Sequence, residues 1–127
     1  MCLITKEFMS SEPHSDFKEK MKMHLAEAQV MVSRFTKEKN IDSPASIRII
    51  DLASEVGELA KEVLKATEYG NKEFGKTEDW DSEIGDVLFS LICLANATGT
   101  DLEACLRNVL MKYEQRFISK GDVGSGK

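Results

Sequence analysis

Proline is almost missing: Pro13 and Pro44 are the only two in 127 residues. A chain so rarely broken can run long helices, and it is neither collagen-like nor a proline-rich linker. Cysteine is scarce and odd in number, Cys2, Cys93 and Cys105, with no CxxC pair. That excludes a disulfide framework and reads as reduced thiols, which makes the cytoplasm the expected compartment. Histidine is limited to His14 and His24, and no partner acid can be placed beside His24. Sites built on several imidazoles are excluded, including the Glu-x-x-His di-iron centres of helical bundles. No apolar run approaches membrane-spanning length, and the opening MCLITKEFMSSEPHSDFKEK has none long enough for a secretory leader. Positive charge is in deficit, with 17 Lys and Arg against 22 Asp and Glu for a net charge of −5. This speaks against the broad basic surface that binds a nucleic acid polymer. Neither a nucleic acid polymer nor a membrane is therefore an expected partner. Phosphorylated small molecules stay open, because a metal can bridge acid to phosphate.

What is present is helical periodicity. The chain is 42% hydrophobic and 31% charged, a globular balance, and long enough for one domain with a single core. Residues 1–14 read as a loose lead-in. With Ser15 or Asp16 as cap, Phe17, Met21, Leu25, Ala28, Val32 and Phe35 recur every three or four residues. Ser43 as cap and Pro44 in the first turn open a second stripe, Ile49, Leu52, Val56, Leu59 and Val63, which Gly70 stops. After GNKEFGKTED, Thr77 is the expected cap of a third helix carrying Ile84, Val87, Leu88, Leu91, Leu94 and Ala95, ended by Gly99. Thr100 with Glu103 fits a capping box for a fourth, with Leu102, Leu106, Val109, Leu110, Tyr113 and Phe117. GDVGSGK is a polar tail. The expectation is a single all-α domain, a four-helix bundle with its core over about residues 17–118. Apolar residues spill beyond a single stripe on the third and fourth helices, which predicts self-association.

Within those helices one pattern occurs twice: SEVGEL at Ser54–Leu59 and SEIGDV at Ser82–Val87, 28 residues apart. At about 100° per residue, acids three apart lie within roughly 60° of each other. Asp51 and Glu62 share the sector of Glu55 and Glu58 on the shoulder of the apolar stripe. Lys61 and Lys65 can pair with Glu58 and Glu62, whereas Glu55 has no lysine three or four residues on. Glu83 and Asp86 repeat the geometry, and their face continues through the small residues Ser90, Cys93 and Ala97. Gly57 and Gly85 sit at matched positions, each at a cost of up to about 1 kcal/mol relative to Ala in a helix. Such a pair suggests close approach by backbone or ligand. Two readings follow: solvated helix faces, or four carboxylates converging on a cation between antiparallel helices. All-oxygen ligation favours Mg²⁺, Mn²⁺ or Ca²⁺ over zinc.

Glu55-x-x-Glu58, 24 intervening residues and Glu83-x-x-Asp86 resemble the MazG-type all-α nucleotide pyrophosphohydrolases. The similarity extends through EVGELAKEV, EIGDVLFSLICLAN and KYEQRF, and covers roughly residues 17–118. The resemblance implies hydrolysis of a nucleoside triphosphate, NTP or dNTP, to the monophosphate and pyrophosphate, with Mg²⁺, or Mn²⁺ in its place, on Glu55, Glu58, Glu83 and Asp86. It also implies a homodimer or homotetramer, often with sites at subunit contacts, and a part in clearing unwanted nucleotides. Many members carry Lys or Asn toward the phosphates on the last helix, where this chain has Asn108, Leu110 and Tyr113. Phosphoribosyl-ATP pyrophosphohydrolases share the fold type and the acid logic. A reading of another class is a non-catalytic helical module that binds a partner or buffers cations through its acids.

Hydrolysis at the α-phosphorus needs charge neutralisation, a positioned and deprotonated water, and stabilisation of the leaving pyrophosphate. Glu55 or Glu58 is the candidate base. Lys112 and Arg116, one turn apart, either meet pyrophosphate or answer the helix dipole. Trp80 either stacks on a base or anchors a helix start. Asn96 either bonds substrate or caps carbonyls.

Overall fold

The apolar stripes become four helices: α1 (Leu25–Glu38), α2 (Ala45–Ala66), α3 (Trp80–Ala97) and α4 (Leu102–Lys120). The computed structural model describes residues 23–120, which contain no strand. No helix among the described residues is long and apolar enough to cross a membrane. The candidate caps Ser15 and Asp16, the stripe members Phe17 and Met21, Cys2, His14 and the GDVGSGK tail lie outside the described residues. Within them, α1 begins at Leu25 after an extended His24 (φ −88, ψ 167), so the first stripe does not run unbroken from Phe17.

Helix boundaries follow local chemistry more closely than residue propensities suggest. Pro44, not Ser43, is the cap of α2: its backbone is extended (φ −69, ψ 162) and its carbonyl accepts the first turn's N–H groups of Ile47 and Arg48. The helix stops at Ala66 through three successive left-handed residues, Glu68, Tyr69 and Gly70, of which Gly70 (φ +88) was the legible one. Thr77 does not cap α3. Asp79 holds that position without a side-chain cap bond, because the Thr77 hydroxyl donates to Glu62 instead (3.1 Å). The box expected at Thr100 and Glu103 is replaced by Asp101, whose carboxylate accepts the Ala104 N–H at 3.2 Å. Gly99 ends α3 as expected, with φ +63.

α3 is the centre. It packs along α2 and also against α1, whereas α4 meets α1 over a short stretch. Three pairings give the α2–α3 direction: Glu62 with Thr77, Glu55 with Glu83 and Asp86, and Arg48 with Cys93 across a shared cavity. As α2 is read backwards α3 is read forwards, so the two are antiparallel. Among the described residues, the apolar side chains removed from water are Ile92, Cys93 and Ala95, all on α3. Arg48 is buried with them, its guanidinium donating to the Ile41 carbonyl and lying 3.6 Å from Asp51.

A polar clamp joins α1 to the α3–α4 corner. Gln29 Nε2 donates to Asn96 Oδ1 (3.0 Å) and to the Thr100 carbonyl (2.8 Å), and its Oε1 accepts the Leu102 N–H (2.9 Å). Asn96 Nδ2 returns a bond to the Gln29 carbonyl at 3.0 Å. Gln29→Ala removes three of these part-buried bonds and should cost about 2–3 kcal/mol, at roughly 1 kcal/mol per bond. Urea unfolding checks this. A loss under about 0.5 kcal/mol would leave the clamp without a stabilising role.

Candidate active site

The doubled motif meets across the α2–α3 seam. Glu55, Glu83 and Asp86 each offer a carboxylate oxygen, and these oxygens all lie within 4.8 Å of one another. Glu55 and Glu83 are half-buried and Asp86 is exposed. Antiparallel packing brings this about, since one helix turn separates Glu83 from Asp86 and the Glu55 turn lies opposite. Among the described residues, no Lys or Arg pairs with any of the three. Burial pushes the Glu83 carboxyl above its usual range, and the charges of Asp86, Glu58, Glu55 and Glu62 push it the same way. Mutually repelling all-oxygen donors that make no ion pair among the described residues are the chemistry a hard divalent ion relieves, so the residues fit such an ion.

Glu58 is not drawn into that triangle. It points to Lys61, with Nζ 3.2 Å from one carboxylate oxygen, in an exposed pair. Its charge still reaches Glu83. Glu62 pairs with Lys65 as the sequence allowed, at 2.6 Å, but Glu62 is far more buried than its spacing suggested.

The remaining candidates are dispersed. Trp80 opens α3 and packs against Phe74 of the preceding loop, ring centroids 4.9 Å apart. Lys112 and Arg116 sit over the Tyr113 ring, 5.1 and 5.9 Å from its centroid, on a helix that is not packed along the acid seam. Asn96 has both ends of its amide engaged by Gln29. A Cβ placed at Gly57 or Gly85 would meet nothing within 4 Å among the described residues. Close packing within the chain therefore does not require either glycine, contrary to the expectation of backbone approaching backbone. The small-residue face does border a cavity of about 440 Å³, lined by Cys93, Asn96 and Ala97 with Arg48 and Thr36.

Sequence reasoning passed over Glu62 and Thr77 as site residues. Local spacing carries no signal for this, because Glu62 shares the sector of Glu55 and Glu58, about a quarter-turn from the centre of the apolar stripe.

The raised Glu83 carboxyl has a stability consequence. An acid whose folded pKa exceeds its unfolded value favours folding fully only below the unfolded value, and loses that contribution as pH rises through the folded one. Glu83→Gln should therefore raise the melting temperature of the metal-free protein at pH 7, and the gain should shrink as pH falls toward 4. If the three acids hold a divalent ion, adding Mg²⁺ should reverse the order, since only the native site would gain from binding. Melts in chelator and in Mg²⁺ check this; a variant that melts lower in chelator contradicts it.

Three carboxylates without an ion-pair partner among the described residues thus meet across two antiparallel helices of an all-α protein, an arrangement that could hold a metal ion. The profile of the MazG nucleotide pyrophosphohydrolase domain matches residues 46–117. The fold resembles the crystal structure of the Bacillus-conserved MazG protein, a nucleotide pyrophosphohydrolase, with a TM-score of 0.61 and 30% identity over 72% of this chain and 90% of that one. It resembles the YPJD protein of Bacillus subtilis with a TM-score of 0.62 and 32% identity, over 76% of this chain and 98% of that one. By sequence, the uncharacterized protein YpjD of Bacillus subtilis (strain 168) is 46% identical over 68 residues, 51% of this chain and 60% of that protein's length. The chain belongs to the MazG nucleotide pyrophosphohydrolase family, and that membership places it among the hydrolases.

Proposed function

We propose that this protein is a Mg²⁺-dependent nucleoside triphosphate pyrophosphohydrolase, converting an NTP or dNTP to the monophosphate and pyrophosphate. The observation that carries this reading is the triangle of Glu55, Glu83 and Asp86, which offers only hard oxygen donors on a helical scaffold of this family. These three residues would hold the ion, with Mn²⁺ as substitute. A divalent ion bound there supplies neutralisation of the triphosphate charge. Glu58, outside the triangle yet close enough to influence Glu83, is assigned as the base that orients and deprotonates the attacking water. Glu55 keeps its oxygen among the ligands. Trp80 and Asn96 remain candidate substrate contacts through their exposed edges, although Phe74 and Gln29 occupy one side of each.

The reading includes a homodimer or homotetramer. Support comes from the apolar surface a single chain leaves open: Leu106, Leu110, Tyr113 and Phe117 recur at i, i+4, i+7 and i+11 along α4, a seam suited to a helix of a second copy. Lys112 and Arg116 lie on this same helix, so association is the route by which they would reach a phosphate chain. Free Cys93 and Cys105 suit a reducing cytoplasm. The test is a pyrophosphate-release screen over unmodified and modified nucleoside triphosphates, with phosphoribosyl-ATP included, in Mg²⁺ and in Mn²⁺. Equal yields of monophosphate and pyrophosphate support the reading; orthophosphate release, or no turnover in any metal, overturns it.

A further inference from the structure

Glu62 is the buried carboxylate among the described residues, 3% exposed, and the chemistry above does not use it. We propose that Glu62 is a positioning residue for the metal site: through Thr77 it holds the start of α3, and therefore Glu83 and Asp86, opposite Glu55 on α2. The inference rests on the reading of those three acids as metal ligands.

Each oxygen of Glu62 has its own donor. Oε1 accepts the Thr77 hydroxyl at 3.1 Å, and Oε2 accepts Lys65 Nζ at 2.6 Å. Thr77 in turn is joined to α3, since its carbonyl accepts the N–H of Trp80, the helix's first residue, at 3.3 Å. Glu83 follows one turn later. The end of α3 has no side-chain cap of its own, and residues 67–79 between the helices form no regular element longer than turns. The bond from Glu62 to Thr77 is thus a directional tie between the two helices at the motif end of the seam. A slip of α3 by one residue would rotate its acids by about 100° and shift them by about 1.5 Å, enough to disperse the triangle.

A buried carboxylate is a poor choice for stability alone, because an apolar residue of similar volume usually does as well or better. What it provides is direction, with two acceptor sites satisfied by two specific donors. Lys65 extends the same device. Its side chain is 64% exposed, and Glu62 first, then Asp79 and Glu83, hold its ammonium above the usual range. Glu62 thereby turns one cation toward the start of α3 without placing it among the ligands.

The experiment measures Mn²⁺ binding to the full chain by electron paramagnetic resonance. It compares the native protein with Thr77→Val, which keeps shape but removes the donor, with Thr77→Ser, which restores it, and with Glu62→Leu. Loss of partners that orient metal ligands costs about 10–100-fold in affinity. Thr77→Val should weaken Mn²⁺ binding by that factor with helix content unchanged by circular dichroism, and Thr77→Ser should return it to within about threefold of the native value. Glu62→Leu, where it folds, should match or exceed the Thr77→Val loss. A folded Thr77→Val that binds Mn²⁺ as tightly as the native protein overturns the positioning role and leaves the metal site standing. If the native protein binds no Mn²⁺, the metal reading falls and takes this inference with it.

Discussion

Asp86→Asn should lower Mg²⁺-dependent pyrophosphate release by about 10²–10³-fold, the range seen when one preorganised electrostatic group is removed from a reacting phosphate or carbonyl site. Asp86 is the exposed corner of the triangle. Its removal therefore opens no cavity, and helix content should stay native by circular dichroism. The isosteric amide keeps one oxygen but loses the charge that a hard cation requires, so Mn²⁺ binding should fall with turnover. Glu58→Gln gives the contrast. It lies outside the triangle in an exposed pair with Lys61, so it should keep Mn²⁺ binding while losing turnover by about 10²–10⁴-fold, as expected for a general base. Loss of both properties in Glu58→Gln would make it a fourth ligand. Native turnover in Asp86→Asn would remove the triangle from the reaction.

Leu110→Glu should convert the protein to a monomer in light scattering and lower its melting temperature. Leu110 is 58% exposed and Phe117 59% exposed in a single chain, on a helix whose main contact is a short one with α1. A carboxylate in the middle of that seam would have to be desolvated on association. Among the described residues the buried apolar side chains are three, all on α3, so a second copy over the α4 face would add a large share of what holds the fold together. A native oligomer in Leu110→Glu, or a native monomer, would contradict the assignment of this face to self-association.

The helices were legible because their apolar stripes are long and regular. α2 and α3 carry theirs over 22 and 18 residues, and the acid pairs ride on the same periodicity. The convergence of Glu55 with Glu83 and Asp86 was readable because two copies of one motif on antiparallel neighbours must face each other at some register. The ends of helices were harder. Thr77 looks like a cap by composition, yet its hydroxyl is claimed by Glu62 across the seam, a tertiary partner that no local pattern announces. Asp101 displaced Thr100 as cap because an adjacent carboxylate reaches the same free N–H groups. Glu58 illustrates a similar limit. Its spacing is identical to that of Asp86, but Lys61 one turn away draws the side chain from the cluster. Paired glycines hinted at close approach by backbone or ligand; among the described residues nothing lies within 4 Å of a Cβ at either, so backbone approach is not their reason.

Anomalous diffraction from Mn²⁺-soaked crystals grown with a non-hydrolysable α,β-bridged triphosphate analogue tests the central claim most directly. The account predicts density for the ion between the carboxylates of Glu55, Glu83 and Asp86, with phosphate oxygens completing its shell. An ion bound elsewhere on the chain, or a triphosphate bound away from these three residues, would contradict it.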